Sequence, residues 1–165
     1  MKKLTALFTI LFAALNIVCA SGSGDSATSN DSSSKGGSTV NQIYLTAIRS
    51  EASSERTTWT VELESNKSAT ALVELLQKGD VTVHAHDYGD FEKVGNLGTS
   101  LPRTDKQITT KPGDLILYQG NQITLYYDTN SWNFTKLGHI EGATREGLLK
   151  VLGSGDVDLV LSLEK

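Results

Sequence analysis

The stretch that decides the fold reads DYGDFEKVGNLGTSLPR at residues 87–103. It follows residues 81–86, where apolar side chains alternate with polar ones, a pattern typical of a strand with one buried face. The glycines and the proline of residues 88–103 interrupt this alternation and predict a long irregular connection. Connections of this length in a compact domain are commonly functional, so we expect this one to open onto the mouth of the fold.

Two segments upstream show the same period of two. Residues 43–48 and 58–63 each present apolar side chains at every second position, which predicts two strands paired as a hairpin across the polar residues 49–56. Before residues 81–86, the apolar side chains of residues 69–76 instead recur with the period of a helix. The sequence therefore predicts a short helix that lies on the sheet.

The downstream half continues as short elements separated by turn residues. The predicted strands are Leu115–Tyr118 and Gln122–Tyr127, joined by a turn at Gly120-Asn121, then Trp132–Ile140 and the closing Val157–Leu163, with a helix at Arg145–Val151. Many short strands with two small helices are typical of a mainly-β barrel. We therefore expect residues 40–165 to form one closed β-barrel domain with two short helices.

The motifs along this domain resemble the bacterial cyclophilin-like family. They include residues 87–102 together with ITTKPGD at 108–114, LYQGN at 117–121 and WNFTKLGHI at 132–140, and the resemblance covers most of residues 40–163. It implies a closed cyclophilin-like β-barrel with a groove or pocket on one side. The resemblance transfers this topology but not prolyl isomerase activity, because a fold does not fix a function.

A binding site in that groove is the first functional hypothesis. Ligand pockets combine apolar walls with a few polar groups that orient the ligand. The candidate ligand-binding residues in this chain are Phe91, Glu92, Leu101, Arg103, Tyr118, Asn121 and Trp132. Tyr118 and Trp132 are equally consistent with barrel core, and Glu92 is consistent either with a pocket that raises its pKa or with a solvated position. The expected partner is a small ligand or a peptide.

A peptidyl-prolyl cis-trans isomerase is the alternative. Such an enzyme holds a twisted X-Pro bond in an apolar pocket and donates a hydrogen bond toward the amide nitrogen. Arg103 is the only arginine in the family-like connection and is the candidate catalytic residue. The Phe-His-Arg and Phe-x-x-Gln-Gly-Gly stretches of true cyclophilins do not occur in the sequence, and Arg103 can equally be a solvated partner of Asp105.

A metal site is a third hypothesis. His84 and His86 project from the same face of one predicted strand. A zinc site needs at least a third ligand, for which the candidates are His139, Asp87 and the other carboxylates of the domain. Paired histidines on an exposed strand are more often without a metal. Since phosphate-loop, dinucleotide-binding and zinc-protease motifs do not occur, we expect neither a metal nor a cofactor.

The first twenty residues have the pattern of a secretory signal. Lys2 and Lys3 precede an apolar run over residues 4–18, too short to span a bilayer. Cys19 is favoured as a lipidated first residue, while cleavage after Ala20 is the alternative. Residues 21–39 are almost entirely small and polar and predict a disordered linker.

This pattern predicts an exported protein at the cell surface or in the periplasm, lipid-anchored at Cys19 or otherwise secreted. Contact with a membrane is expected only through that N-terminal anchor. The formal net charge of -4 argues against nucleic acid as a partner, since nonspecific binding to phosphates needs a positive surface.

Overall fold

The computed structural model describes residues 40–49 and 56–165 of the chain. The predicted signal segment with Cys19 and the predicted linker over residues 21–39 lie outside the described residues. Within them the elements are β1 (Gln42–Ile48), β2 (Arg56–Leu63), α1 (Lys67–Leu76), β3 (Val81–Tyr88), β4 (Glu92–Asn96), β5 (Lys106–Thr109), β6 (Asp114–Tyr118), β7 (Gln122–Tyr126), β8 (Ser131–His139), α2 (Arg145–Leu152) and β9 (Val157–Ser162).

Eight of the strands form a closed antiparallel barrel. Their order is β2-β1-β9-β3-β4-β7-β6-β8, and the circle closes where β2 pairs with β8 through Glu62 opposite His139 and Leu63 opposite Gly138. The ninth strand, β5, pairs with the first half of β8, from Ser131 to Phe134, outside this closed circuit. The prediction of a mainly-β closed barrel with two helices is confirmed.

The core consists of the inward-facing side chains of the strands, which are the apolar residues at every second position. Ile43 and Leu45 on β1 and Leu159 and Leu161 on β9 are completely buried, because alternate residues of a strand point to the same face. Both helices add their apolar faces to this core. On α1 the buried apolar side chains are Ala69, Leu72, Val73 and Leu76, and on α2 they are Leu148 and Leu152.

The prediction of a long irregular connection over residues 88–103 is wrong for the first half of that stretch. Residues 88–91 form a tight turn between β3 and β4, and β4 then pairs with β7 along its whole length. Period-two analysis missed β4 because the strand carries Glu92, Lys93 and Gly95 where apolar residues are the usual signal of burial. Of the predicted connection, residues 97–103 follow β4 and have no regular secondary structure.

Two further local predictions need correction. The turn between β6 and β7 has its positive φ angles at Gln119 and Gly120, not at Gly120 and Asn121, and the Asn121 N–H closes it on the Tyr118 carbonyl. β5 was not predicted, because its four residues are mostly polar and exposed and carry no apolar period. In the part of the chain that the structure describes, neither helix is long and apolar enough to cross a membrane.

Candidate ligand-binding groove

A groove of about 600 Å³ lies on the outer face of the barrel wall. Its floor consists of the outward side chains of β3, β4, β7 and β6, and its far wall is the start of β8. The lining residues are His84, His86, Tyr88, Phe91, Glu92, Val94, Gly95, Asn96, Tyr118, Gln122, Tyr126, Asn130, Trp132 and Phe134. Its volume is within the usual range for small-molecule sites, and six of its fourteen lining residues are Phe, Tyr or Trp.

Glu92 lies at the centre of one cross-strand row in this groove. The register pairs Glu92 with Tyr88 on β3 and with Tyr126 on β7, so the three side chains share the outer face. Only 7% of Glu92 is exposed, and its Oε2 atom is buried without a hydrogen-bond partner among the described residues. A buried acceptor without a partner costs free energy, so it marks a position where a ligand donor would be favourable.

The surroundings of Glu92 change its acidity. Burial raises the pKa of the Glu92 carboxyl above its ordinary value, while the Tyr126 hydroxyl and a positive charge on His86 oppose this effect without cancelling it. Burial and the adjacent Glu92 carboxylate also raise the pKa of Tyr126, which keeps its hydroxyl protonated. The groove therefore holds one acid whose charge is sensitive to what occupies the space beside it.

Aromatic rings run in a continuous series along the groove. Phe91 stacks on Tyr126 with ring centroids 6.0 Å apart, and Tyr126 contacts Phe134 at 5.5 Å. At the two ends, Tyr88 meets Phe91 edge to face at 6.0 Å, and Tyr118 meets Phe134 at 6.4 Å. Such contacts fix the rings in place, so the apolar floor is formed before any ligand binds.

Two aromatic side chains stand exposed at the rim. Tyr88 is 61% exposed and Trp132 is 60% exposed, whereas Tyr126 and Phe134 below them are buried. Exposed large aromatic residues around a concave surface are a common feature of binding sites, because they supply contact area with little loss of side-chain entropy.

The β3–β4 turn fixes the position of the Phe91 ring. Gly89 and Asp90 both have positive φ, a turn that suits the twist of a hairpin and favours glycine. A Cβ atom on Gly89 would overlap the Phe91 ring, so the ring lies against the bare backbone of the turn. Gly89, which the sequence pattern assigns to an irregular connection, instead lets the Phe91 ring lie in place as one wall of the groove.

The structure brings together four of the seven predicted ligand-binding residues. Phe91, Glu92, Tyr118 and Trp132 line the groove, and Leu101, Arg103 and Asn121 do not. Sequence reasoning did not select the lining residues Tyr88, Tyr126, Phe134, Asn96, Gln122 and Asn130. The period of two places Tyr88 on the same face as His84 and His86, so that signal was present in the sequence.

Leu101, Arg103 and Asn121 lie around the β6–β7 turn. The Leu101 N–H donates to the Gly120 carbonyl at 2.7 Å, and Leu101 packs against the barrel core. The Arg103 guanidinium donates to the Asp105 carboxylate, and its side chain is 53% exposed. This arrangement matches the solvated ion pair considered for Arg103, and it leaves the catalytic role of Arg103 without support from the groove geometry.

The two histidines predicted to share a face do so, since His84 and His86 both line the groove. Neither His139 nor Asp87, the candidate third ligands, lines the groove. His84 Nδ1 lies 2.6 Å from Asp158, while His139 Nδ1 lies 2.8 Å from Asp114. Within residues 40–49 and 56–165, no three side chains of metal-binding type lie close enough together to hold a metal ion.

A second buried charge lies beside Glu92 in sequence but on the other face of β4. Lys93 is completely buried, and its Nζ atom lies 2.8 Å from Asp87 and donates to the carbonyls of Gly153 and Gly155. Asp87 also accepts hydrogen bonds from the Tyr127 hydroxyl and the Gly155 N–H. All three ammonium protons have an acceptor, so Lys93 is a structural residue and is not available to a ligand.

The comparisons with known proteins agree with this architecture. The model of the cyclophilin-like family matches residues 52–164, and the chain therefore belongs to the cyclophilin-like family. The solution structure of the hypothetical protein AF2241 from Archaeoglobus fulgidus is similar, with a TM-score of 0.51 and 15% identity, over 75% of this chain and 96% of that chain. At this identity the likeness concerns the fold alone. Among curated proteins, none matches this chain.

Proposed function

We propose that the domain is a binding module that captures a small ligand or a peptide side chain in the groove. The observation that carries this proposal is that one groove holds six aromatic side chains and a buried carboxyl oxygen, Glu92 Oε2, that has no partner among the described residues. The aromatic side chains are Tyr88, Phe91, Tyr118, Tyr126, Trp132 and Phe134. Apolar walls with one unsatisfied polar group are the usual composition of a ligand site.

The alternative to a ligand site is an ordinary patch of surface, and two features favour the ligand site. Natural proteins satisfy nearly all buried polar atoms, yet Glu92 Oε2 is left without a partner among the described residues. Surface aromatics are normally scattered, yet Tyr88 and Trp132 are both largely exposed on one concavity. A ligand could satisfy the Glu92 oxygen and cover the exposed rings of Tyr88 and Trp132 at the same time.

The two tryptophans of the chain provide the test. Trp132 is at the rim of the groove, and Trp59 packs against the barrel core, so each can be made the sole reporter. In the full chain with Trp59→Phe, titration with the neutral probe 4-phenylbutan-1-ol should produce a saturable change in fluorescence. The matched control Trp132→Phe should not respond. If neither this probe nor its charged analogues described below produces saturation, the binding proposal is wrong.

We also propose that the protein is exported and held at a membrane surface through Cys19, with residues 21–39 as a tether. The apolar run before a lone cysteine and the polar stretch after it support this proposal. Mass spectrometry of the mature N-terminus is the test: an acyl mass on Cys19 is expected. A free N-terminus at Ser21 would show simple cleavage and secretion instead.

A further inference from the structure

We propose that the groove selects ligands in which an apolar body carries a protonated nitrogen, an amine or a guanidinium, and that the Glu92 carboxylate receives this group. This inference rests on the proposed binding function and specifies its ligand class. Three properties of the groove support it: its charge, its hydrogen bonding and its aromatic lining.

The charges of the lining residues favour a cation. Glu92 is the only acidic residue that lines the groove, and in the described chain the lining includes no Lys or Arg. His84 and His86 are the only lining residues that can become positive, and His84 is already paired with Asp158. An anionic ligand would therefore meet one carboxylate and no fixed positive charge, whereas a cation would meet its counter-ion.

The hydrogen-bonding capacity of Glu92 points the same way. Its Oε2 atom is an acceptor that is buried without a partner in the described chain, so the missing group is a donor. An N–H group on a cationic ligand supplies both the donor and the compensating charge. Charge-assisted hydrogen bonds of this kind are about twice as strong as neutral ones.

The aromatic rings supply the remaining selectivity. Phe91 and Tyr126 stack on each other, but the Trp132 side chain is 60% exposed at the rim, and the negative side of its ring quadrupole would attract a cation and repel an anion. The same rings offer apolar contact to the body of the ligand. A neutral apolar molecule would gain this contact alone, and a small inorganic cation would gain only the charge.

Three probes with one common body separate these contributions. The full chain carrying Trp59→Phe is titrated with 4-phenylbutylamine, 4-phenylbutan-1-ol and 4-phenylbutyrate at about pH 8. This pH lies several units above the ordinary glutamate pKa of about 4.3 and so allows for the raised pKa of Glu92. A hydrogen bond to a charged group corresponds to about a tenfold to hundredfold change in affinity. We expect the amine to bind at least about tenfold more tightly than the alcohol, and the carboxylate to bind most weakly.

Two substitutions identify the group that is responsible. Glu92→Gln should abolish the preference for the amine over the alcohol, and a cooperative urea unfolding transition should show that the variant is folded. Glu62→Gln removes an exposed carboxyl outside the groove and should leave both affinities as they were.

The outcomes separate this inference from the binding proposal. If the alcohol binds and the amine binds no better, or if the amine preference survives in Glu92→Gln, the inference is overturned while the groove remains a binding site. If no probe saturates, both proposals fail. A preference for the amine that disappears in Glu92→Gln alone supports both.

Discussion

Glu92 and Lys93 are neighbours on β4, and both are buried, but they point to opposite faces of the barrel wall. Lys93 Nζ has three partners, the carbonyls of Gly153 at 3.0 Å and Gly155 at 2.6 Å and the Asp87 carboxylate at 2.8 Å. The outward Glu92 has an oxygen with no partner among the described residues. β4 thus carries Lys93, whose ammonium group is fully hydrogen-bonded, and Glu92, whose carboxyl group is not.

Lys93 should be essential for stability. Lys93→Met removes all three contacts and leaves Asp87 partly buried beside an apolar chain, so we expect a loss of about 3–5 kcal/mol in the free energy of unfolding. Urea denaturation measures it. Lys78→Met, at an exposed site just beyond α1, is the matched control and should change stability by less than about 0.5 kcal/mol. Equal effects of the two substitutions would contradict the structural role of Lys93.

The same cluster should weaken in acid. Burial alone would raise the pKa of Asp87, but hydrogen bonds from Lys93, the Gly155 N–H and Tyr127 lower it below the ordinary value. A carboxyl with a lowered pKa stabilises the fold above its unfolded pKa of about 3.9 and loses that contribution as the pH falls through its folded pKa. The difference in stability between wild type and Lys93→Met should therefore narrow below about pH 4.

The Glu92 carboxyl should stabilise the fold in acid and not at neutral pH, which is the opposite of the pH dependence expected for Asp87. Its pKa is raised mainly by burial, so the folded protein binds the proton more tightly than the unfolded chain does. The contribution of the protonated carboxyl is complete below the unfolded pKa of about 4.3 and is lost as the pH rises through the folded value. Glu92→Gln never ionises, and we expect it to be more stable than wild type at neutral pH by about 1–3 kcal/mol.

The pH profile of unfolding checks this expectation. The advantage of Glu92→Gln over wild type should disappear below about pH 4, where both side chains are neutral. His86 and Tyr88 on β3 and Tyr126 on β7 are the titratable groups that face Glu92, and they are present in both proteins, so the difference isolates the carboxyl. A Glu92→Gln variant less stable than wild type at pH 7 would show that the carboxylate is satisfied after all.

The rim and the floor of the groove should separate binding from stability. Trp132 is 60% exposed, so Trp132→Ala should change the free energy of unfolding by less than about 0.5 kcal/mol but reduce the thermal stabilisation that 4-phenylbutan-1-ol produces. Phe134 is buried, and Phe134→Ala should cost about 3–5 kcal/mol. Tyr44→Ala, on β1 outside the groove, is the control that should leave probe binding intact. Unchanged binding in Trp132→Ala would remove Trp132 from the site.

The isomerase hypothesis has a direct test in a protease-coupled assay with a proline peptide. Arg103 is ion-paired with Asp105 and does not line the groove, so we expect Arg103→Ala to leave any acceleration by the full chain unchanged. Acceleration that is present in wild type and absent in Arg103→Ala would instead establish an enzyme that depends on this arginine. The same variant should bind 4-phenylbutan-1-ol as wild type does.

The barrel could be predicted from sequence because its core obeys a simple period. Ile43 and Leu45 on β1 alternate with polar residues, and each such strand has one buried face, so local pattern and fold agree. The sequence pattern does not predict β4, because the buried Lys93 has its partners on the distant residues Gly153 and Gly155. Contacts between parts of the chain so far apart in sequence leave no local pattern to detect.

The groove was predicted in part for a related reason. Phe91 and Glu92 were found through their motif, but Tyr126 and Phe134 resemble core residues until the pairing of β7 and β8 with their neighbours is known. The sequence predicts Leu101 and Arg103 in the site because it predicts that their connection opens onto it. Instead, the hydrogen bond from the Leu101 N–H to the Gly120 carbonyl holds that connection beside the β6–β7 turn.

β8 has two tasks along its nine residues. Its first half carries Trp132 and Phe134 to the groove, and its second half joins β2 at Gly138 to complete the circle of strands. Loss of the β2 junction would therefore deform the recognition surface even though no groove residue had changed. Measurements of probe affinity would therefore also report whether the pairing of β2 with β8 is intact.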